Sequence, residues 1–140
     1  MKTSSLTPYL YFGGNAEEAI HFYEKALDAT VEVLMRFKEC PDPIPEEHQF
    51  PGFEEAIMHA TLTIYGQPLK LSDGCEPGSS IQGFGLSLSL PSKEAATHAF
   101  EALSEGGTVK MPLGETFWSS CFGMVTDRFQ VDWLVSIEDG

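Results

Sequence analysis

Four side chains in this chain could do chemistry at a pocket. His59 lies in Ile57-Met58-His59-Ala60-Thr61-Leu62-Thr63-Ile64, where apolar residues alternate with polar ones. On a strand, that alternation puts Met58, Ala60, Leu62 and Ile64 on one face and His59, Thr61 and Thr63 on the other. An imidazole on the open face titrates near pH 6.5, so it can act as a base, an acid or an anion-binding donor. The same ring could instead be a hydrogen-bonded structural histidine. Asp73 closes the run Leu71-Ser72-Asp73-Gly74. A carboxylate at a strand end can reach a pocket, or it can close a turn on its own backbone. Glu115-Thr116-Phe117-Trp118, followed by Phe122-Gly123, is a short aromatic loop beside one carboxylate. Glu115 becomes a general base if the rings desolvate it, and Trp118 can stack on a planar ligand. The alternative is that Phe117, Trp118 and Phe122 fill the core or a subunit interface. Phe84 and Trp133 offer apolar cover. No residue is assigned a catalytic step.

The remaining candidates are weak. His21 and His98 fall on outer helix faces, His48 lies in an acidic loop, and Cys121 has no evident base. No P-loop, G-x-G-x-x-G, H-E-x-x-H or G-x-S-x-G is present, so no cofactor is expected through those devices. The formal net charge is −13, a field that repels nucleic acid and anionic membranes. Cys40, Cys75 and Cys121 are odd in number and widely spaced, which argues for reduced thiols and a cytoplasmic setting. The first residues, Met1-Lys2-Thr3-Ser4-Ser5, show no apolar signal region, and no apolar run approaches the length of a membrane span. The charge leaves room for a discrete cationic partner, and the aromatic loop beside a carboxylate suits a small-molecule ligand.

The elements that position these residues are legible. Thr7 to Phe12 reads as a strand and Gly13-Gly14 breaks it. Asn15 reads as an N-cap with Glu18 three residues on, and Ala16, Ala19, Ile20, Tyr23, Ala26 and Leu27 follow at helical spacing to about Asp28. Val31 to Phe37 alternates as a strand. Residues 38–56 hold Pro41, Pro43, Pro45 and Pro51 with many acids, a loop that reads either as a lid or as a solvated excursion. Strands follow at Ile57–Tyr65 and Leu69–Asp73, with a turn at Gly66-Gln67-Pro68, and a loop spans Gly74–Gly83. Phe84 to Leu90 alternates again. Ser92 caps a helix with the stripe Ala95, Ala96, Ala99, Phe100 and Leu103, ended by Gly106-Gly107. Short strands are expected around Val109, at Cys121–Thr126 and at Val131–Ile137.

A shift of 77 positions aligns Glu17 with Glu94, Ala19 with Ala96, His21 with His98 and Glu24 with Glu101, and sets Tyr23 against Phe100. The order strand, helix, three strands thus occurs twice, over about 6–74 and 83–138. The fold class is α+β: two βαβββ modules whose curved mixed sheets enclose a cleft, within a single domain.

Pro8-Tyr9-Leu10 with Phe12, Gly14-Asn15, Ala19-Ile20, Ile57-Met58-His59-Ala60, Ser72-Asp73, Glu115-Thr116-Phe117-Trp118, Phe122-Gly123 and Val125-Thr126-Asp127 with Phe129 and Trp133 carry a family resemblance. The chain resembles the PhnB-like branch of the vicinal oxygen chelate superfamily, which includes glyoxalase I, extradiol dioxygenases and bleomycin and fosfomycin resistance proteins. Members usually show Gly where this chain has Gln130. The resemblance implies paired modules and often a homodimer. It also implies, in catalytic members, a divalent metal held by His or Glu on the first and last strands of each module. Here those positions fall at Tyr9 or Tyr11, Leu71, Phe84 and Leu134, which supply no such donor. The expectation is a metal-free small-molecule binder using His59, Asp73, Glu115 and Trp118, with Phe84 and Trp133 as cover. The alternatives are an enzyme with a site relocated to His59, Asp73 and Glu115, and a regulatory dimer without a reaction.

Overall fold

The computed structural model describes residues 4–42, 44–74 and 82–137. The chain divides into two units, residues 1–79 and 80–140. In the first, β1 (Tyr9–Tyr11) leads to α1 (Ala16–Leu27), β2 (Thr30–Arg36), β3 (Ile57–Ile64) and β4 (Gln67–Ser72). In the second, β5 (Gly85–Leu90) leads to α2 (Lys93–Ser104), β6 (Thr108–Gly114), β7 (Phe122–Thr126) and β8 (Asp132–Ile137). Each unit carries one four-stranded mixed sheet, ordered β1-β4-β3-β2 and β5-β8-β7-β6. The first strand runs parallel to the last in each unit, and the other pairs are antiparallel. The 77-residue shift maps the bounds of α1 onto those of α2. The repeat read from helix identities is therefore a repeat of architecture.

Each sheet buries one face under its helix. Ala19, Ile20, Tyr23 and Leu27 of α1 pack where Leu10, Ala60, Leu62 and Leu71 are also buried. Ala96, Ala99, Phe100 and Leu103 of α2 do the same with Val125, Trp133 and Val135. Each large apolar side chain so buried contributes about 1.5–3 kcal/mol, so these stripes hold each helix on its sheet.

Local details differ from expectation in instructive places. The expected Asn15–Glu18 box does not form, and Asn15 makes no side-chain cap bond. A carboxylate from the end of the neighbouring strand β4 takes that role, as described below. Ser92 does cap α2, its Oγ accepting from the Ala95 N–H at 3.1 Å. The β3–β4 turn sits at Tyr65-Gly66 rather than at Gly66-Gln67-Pro68, with Ile64 paired to Gln67. Both turn residues have positive φ, 50° and 80°, the geometry a two-residue hairpin requires. After α2, Gly107 passes so close to β7 that a Cβ would lie 2.3 Å from the Thr126 carbonyl oxygen, so only glycine fits.

Gln130 lies in the turn before β8 with φ +72°, the left-handed region. That is the region glycine enters most readily, in keeping with the glycine that the resemblance implies here. The side chain is exposed, so little packing is lost on its removal. We expect Gln130→Gly to raise the stability by up to about 1 kcal/mol, relief of left-handed strain exceeding the added freedom of the unfolded glycine. Urea unfolding checks this; a clear loss would show that the turn tolerates glutamine without strain.

Candidate functional site

Residues paired across neighbouring strands share a sheet face. In the first unit, the row Leu10, Leu71, Ala60 and Leu34 faces α1. The row Tyr9, Lys70, Thr61 and Val33 therefore lies on the opposite, open face, with Tyr11, Ser72, His59 and Met35 beside it. His59 is half-buried there. Its Nδ1 lies 3.2 Å from the Tyr9 hydroxyl and its Nε2 3.3 Å from Thr61 Oγ1. A neutral imidazole has one donor and one acceptor nitrogen. One hydroxyl thus receives the ring's N–H while the other gives its O–H. The Tyr9 ring also stacks on the imidazole, with centroids 5.8 Å apart. Tyr9 comes from β1 and His59 from β3, so the tyrosine reaches across β4 to make this contact. The two hydroxyls fix the ring's plane, and the open face leaves its edge available to a ligand.

Asp73 follows β4 and is 2% exposed. Its Oδ1 accepts the N–H groups of Gly14 at 2.8 Å and Ala16 at 2.9 Å, and its Oδ2 accepts that of Ile57 at 2.9 Å. The Asp73 N–H in turn donates to the Ile57 carbonyl at 2.8 Å. The carboxylate therefore ties together the β1–α1 turn, the start of β3 and the end of β4. The reading of Asp73 as a turn on its own backbone is corrected: it is a pin between distant segments, and it also lines the groove beside the β1–α1 turn.

Trp133 needs a similar correction. It is 2% exposed, pairs with Leu86 and Val125, and donates its indole N–H to Asp127 Oδ2 at 2.8 Å. It belongs to the core under α2 instead of covering a ligand. Phe84 stands just before β5, outside the strand expected to begin with it, and is 42% exposed.

The aromatic loop is well formed. The Thr116 N–H donates to the Ser119 carbonyl at 2.8 Å, and the Ser119 N–H to Thr116 Oγ1 at 3.0 Å. This small turn presents Phe117 and Trp118 outward. Trp118 meets Phe117 and Phe122 edge-on, with centroids 4.7 and 5.4 Å apart. Phe122 pairs with Ser136, and Met124 with Leu134 and Met111, on the open face of the second sheet. That face is an apolar platform with Trp118 at one end. Glu115 is exposed, so the rings beside it in sequence do not bury it as expected.

The 38–56 segment is folded back on its own unit. It contains the short 3-10 turns Phe37–Glu39, Glu46–His48 and Phe53–Glu55, and Phe37, Phe50 and Phe53 pack edge-on against one another. The Arg36 guanidinium donates to both Glu17 carboxylate oxygens, at 3.0 and 2.6 Å, and to the Glu55 carbonyl at 2.7 Å. Arg36 holds the Glu17 carboxyl below its ordinary range, chiefly through that hydrogen bond, and Glu17 holds Arg36 above its own. Between this segment and the β1–α1 turn lies a groove of about 540 Å³ lined by Gly14, Asn15, Glu17, Phe50, Pro51 and Glu55.

The donor set can be tested against a divalent metal. Leu71 is wholly buried toward α1, so the open-face residues of β4 are Lys70 and Ser72, a correction to the position assigned from sequence. β1 offers Tyr9 and Tyr11, β5 offers Ser87, and β8 offers Leu134 and Ser136. Asp132 accepts a 2.5 Å bond from Thr126 Oγ1. Among the described residues no three His, Cys, Asp or Glu side chains converge. Neutral hydroxyls, an ammonium and aliphatic groups are a poor match for the imidazole and carboxylate ligands such ions prefer. The residues present do not fit the metal that the resemblance implies for catalytic members. Of the alternative His59, Asp73 and Glu115 set, Asp73 is committed to three backbone N–H groups.

Sequence reasoning placed Thr61 on the face of His59 but missed Tyr9 and Lys70, which reach that face from other strands.

Residues 5–135 match the model of the glyoxalase/bleomycin resistance protein/dioxygenase superfamily. The chain is 36% identical over 140 residues to protein YjdN of Escherichia coli, covering 94% of each. Its fold superposes on protein PA1353 of Pseudomonas aeruginosa with a TM-score of 0.85 at 40% identity, covering 99% of this chain and 100% of that one. A PhnB protein from Bacillus cereus gives 0.79 at 28% identity, covering 96% and 100%. The chain belongs to the glyoxalase/bleomycin resistance protein/dioxygenase, or vicinal oxygen chelate, superfamily, and is similar to its YjdN and PhnB-like members.

Proposed function

We propose that this protein binds a small organic molecule without a resident metal. The observation that carries the reading is His59, held by Tyr9 and Thr61 on an open sheet face, with no group of three His, Cys, Asp or Glu among the described residues to hold an ion. An oriented imidazole with a phenol and a hydroxyl is a polar handle, and Met35, Tyr11 and Val33 supply apolar surface around it. Pockets that fix small ligands combine these two features. The aromatic platform of Trp118, Phe122 and Met124 is a second apolar surface of the kind that stacks on planar groups. The unpaired thiols of Cys40 and Cys121 accord with a cytoplasmic, reducing setting.

The test has two parts. Protein purified without chelator should hold only traces of transition metal, read by elemental analysis. Native mass spectrometry should show the mass of a retained small molecule, lost in His59→Ala while the melting temperature falls by only a few degrees. An equimolar metal ion bound by protein side chains would overturn the reading. So would a His59→Ala variant that melts far lower yet keeps the ligand, since that would make His59 structural.

A further inference from the structure

We infer that the ligand handle on the first sheet is an oxyanion site, so that the guest carries a carboxylate or phosphonate group. This rests on the open face of that sheet being the ligand surface. The observation behind it is Lys70. It pairs with Tyr9 on one side and Thr61 on the other, which are the two residues that hold His59. Neighbouring strands lie about 4.8 Å apart, so Lys70 stands between the phenol and the hydroxyl at their own level. Ser72, two residues on, shares the face and pairs with Tyr11.

Among the described residues, the remaining cations are either paired or, like Lys25, Lys93 and Lys110, exposed to solvent. Arg36 binds Glu17, Lys38 binds Glu55, and Arg128 meets Glu105. Lys70 has no ion pair or hydrogen bond through its ammonium among the described residues, although it is half-buried. A lysine stem can lie along a sheet face while its ammonium, with no counter-charge of its own, stays available to an anionic guest. No carboxylate stands in its row, since its neighbours are Tyr9, Thr61 and Val33. In a chain of net charge −13, an unpaired cation walled by hydroxyls and an imidazole marks a place built for a negative guest. The overall negative field does not cancel this, because beyond about 8 Å it is screened at physiological salt. Lys70 would supply the charge, whichever hydroxyl of Tyr9 and Thr61 receives the imidazole N–H would donate its own O–H to the guest, His59 would orient that hydroxyl, and Met35 would be a wall for the guest's apolar part.

The experiment is an NMR titration of the ¹⁵N-labelled protein with benzoate, phenylphosphonate and benzyl alcohol, following the amides of Tyr9, His59, Thr61 and Lys70. Benzoate or phenylphosphonate should shift these amides, and the tighter of the two identifies the anion class. Lys70→Met keeps the stem and removes the charge, and should weaken that binding roughly tenfold or more, the size of a lost charged hydrogen bond. Lys70→Arg should restore most of it. Lys93→Met, on the exposed side of α2, is the matched control for net charge and should change nothing. Benzyl alcohol binding as well as benzoate would overturn the oxyanion inference while leaving small-molecule binding intact. Equal anion binding by Lys70→Met, or equal loss in Lys93→Met, would overturn it too. Failure of all three probes to shift these amides would sink both this inference and the choice of face.

Discussion

Asp73→Ala is expected to lower the unfolding free energy by about 4 kcal/mol, enough to leave the protein marginal at room temperature. The Asp73 carboxylate is 2% exposed and receives N–H groups from Gly14, Ala16 and Ile57. Alanine removes the acceptor and fills none of its space. The donors at Ala16 and Ile57 are then buried without a partner, which costs about 1–3 kcal/mol each. The first turn of α1 also loses the negative charge that complements its exposed N–H groups. Asp73→Asn separates these effects. An amide oxygen can keep the Gly14 and Ala16 bonds, but its NH₂ then faces the Ile57 N–H, so about half the loss is expected. Urea unfolding measures both variants, and hydrogen exchange at Ala16 and Ile57 should accelerate first. A change below about 1 kcal/mol for Asp73→Ala would mean that water replaces the carboxylate and that the pin is dispensable.

This pin marks a boundary of what the sequence discloses. Periodicity located both helices and most strands, because which face a side chain occupies is a local property of spacing. Ser92 could be read as a cap for the same reason, since donor and acceptor are three residues apart. Asn15 had an equally good local signature and does not cap, because Asp73 arrives from 57 residues away. Nothing within a window of ten residues carries that information. The Tyr9–His59 contact, 50 residues apart, was hidden likewise, and Lys70 with it. The resemblance partly filled this gap. It quoted Ser72-Asp73 and Val125-Thr126-Asp127 as family features, and both aspartates prove to organise buried backbone. The strand-end position of Asp73 suits a pocket or a local turn, whereas the backbone donors that it satisfies lie 16 to 59 residues away. The face of Leu71 was misplaced for a simpler reason: a shift of one residue in strand register turns a side chain to the opposite side.

Asp127 makes the second demand of this kind, and its replacement should be as damaging. Its Oδ1 accepts the N–H groups of Phe129 at 2.8 Å and Val131 at 3.1 Å, and its Oδ2 accepts the Trp133 indole N–H at 2.8 Å. Asp127 is 1% exposed and Trp133 2%. One carboxylate thus shapes the turn into β8 and seats the largest core side chain of its unit. Asp127→Ala orphans a buried indole N–H and two buried backbone donors, so about 4 kcal/mol should again be lost. Trp133→Phe alone removes the indole donor and leaves a small void, a loss of about 1–3 kcal/mol. The double variant should lose clearly less than the two single losses added together, because the two variants share one bond. Chain-reversal bonds such as the Gln130 N–H to the Asp127 carbonyl remain in every case, so the turn itself need not vanish. The reporter is near-ultraviolet circular dichroism. Of the two tryptophans, Trp118 is half-exposed, so a rigid signal comes mainly from Trp133. That signal should collapse in Asp127→Ala below its unfolding temperature, while the helical signal of α2 persists. Strictly additive losses would show that Trp133 is held by packing alone, and that the aspartate serves only the turn.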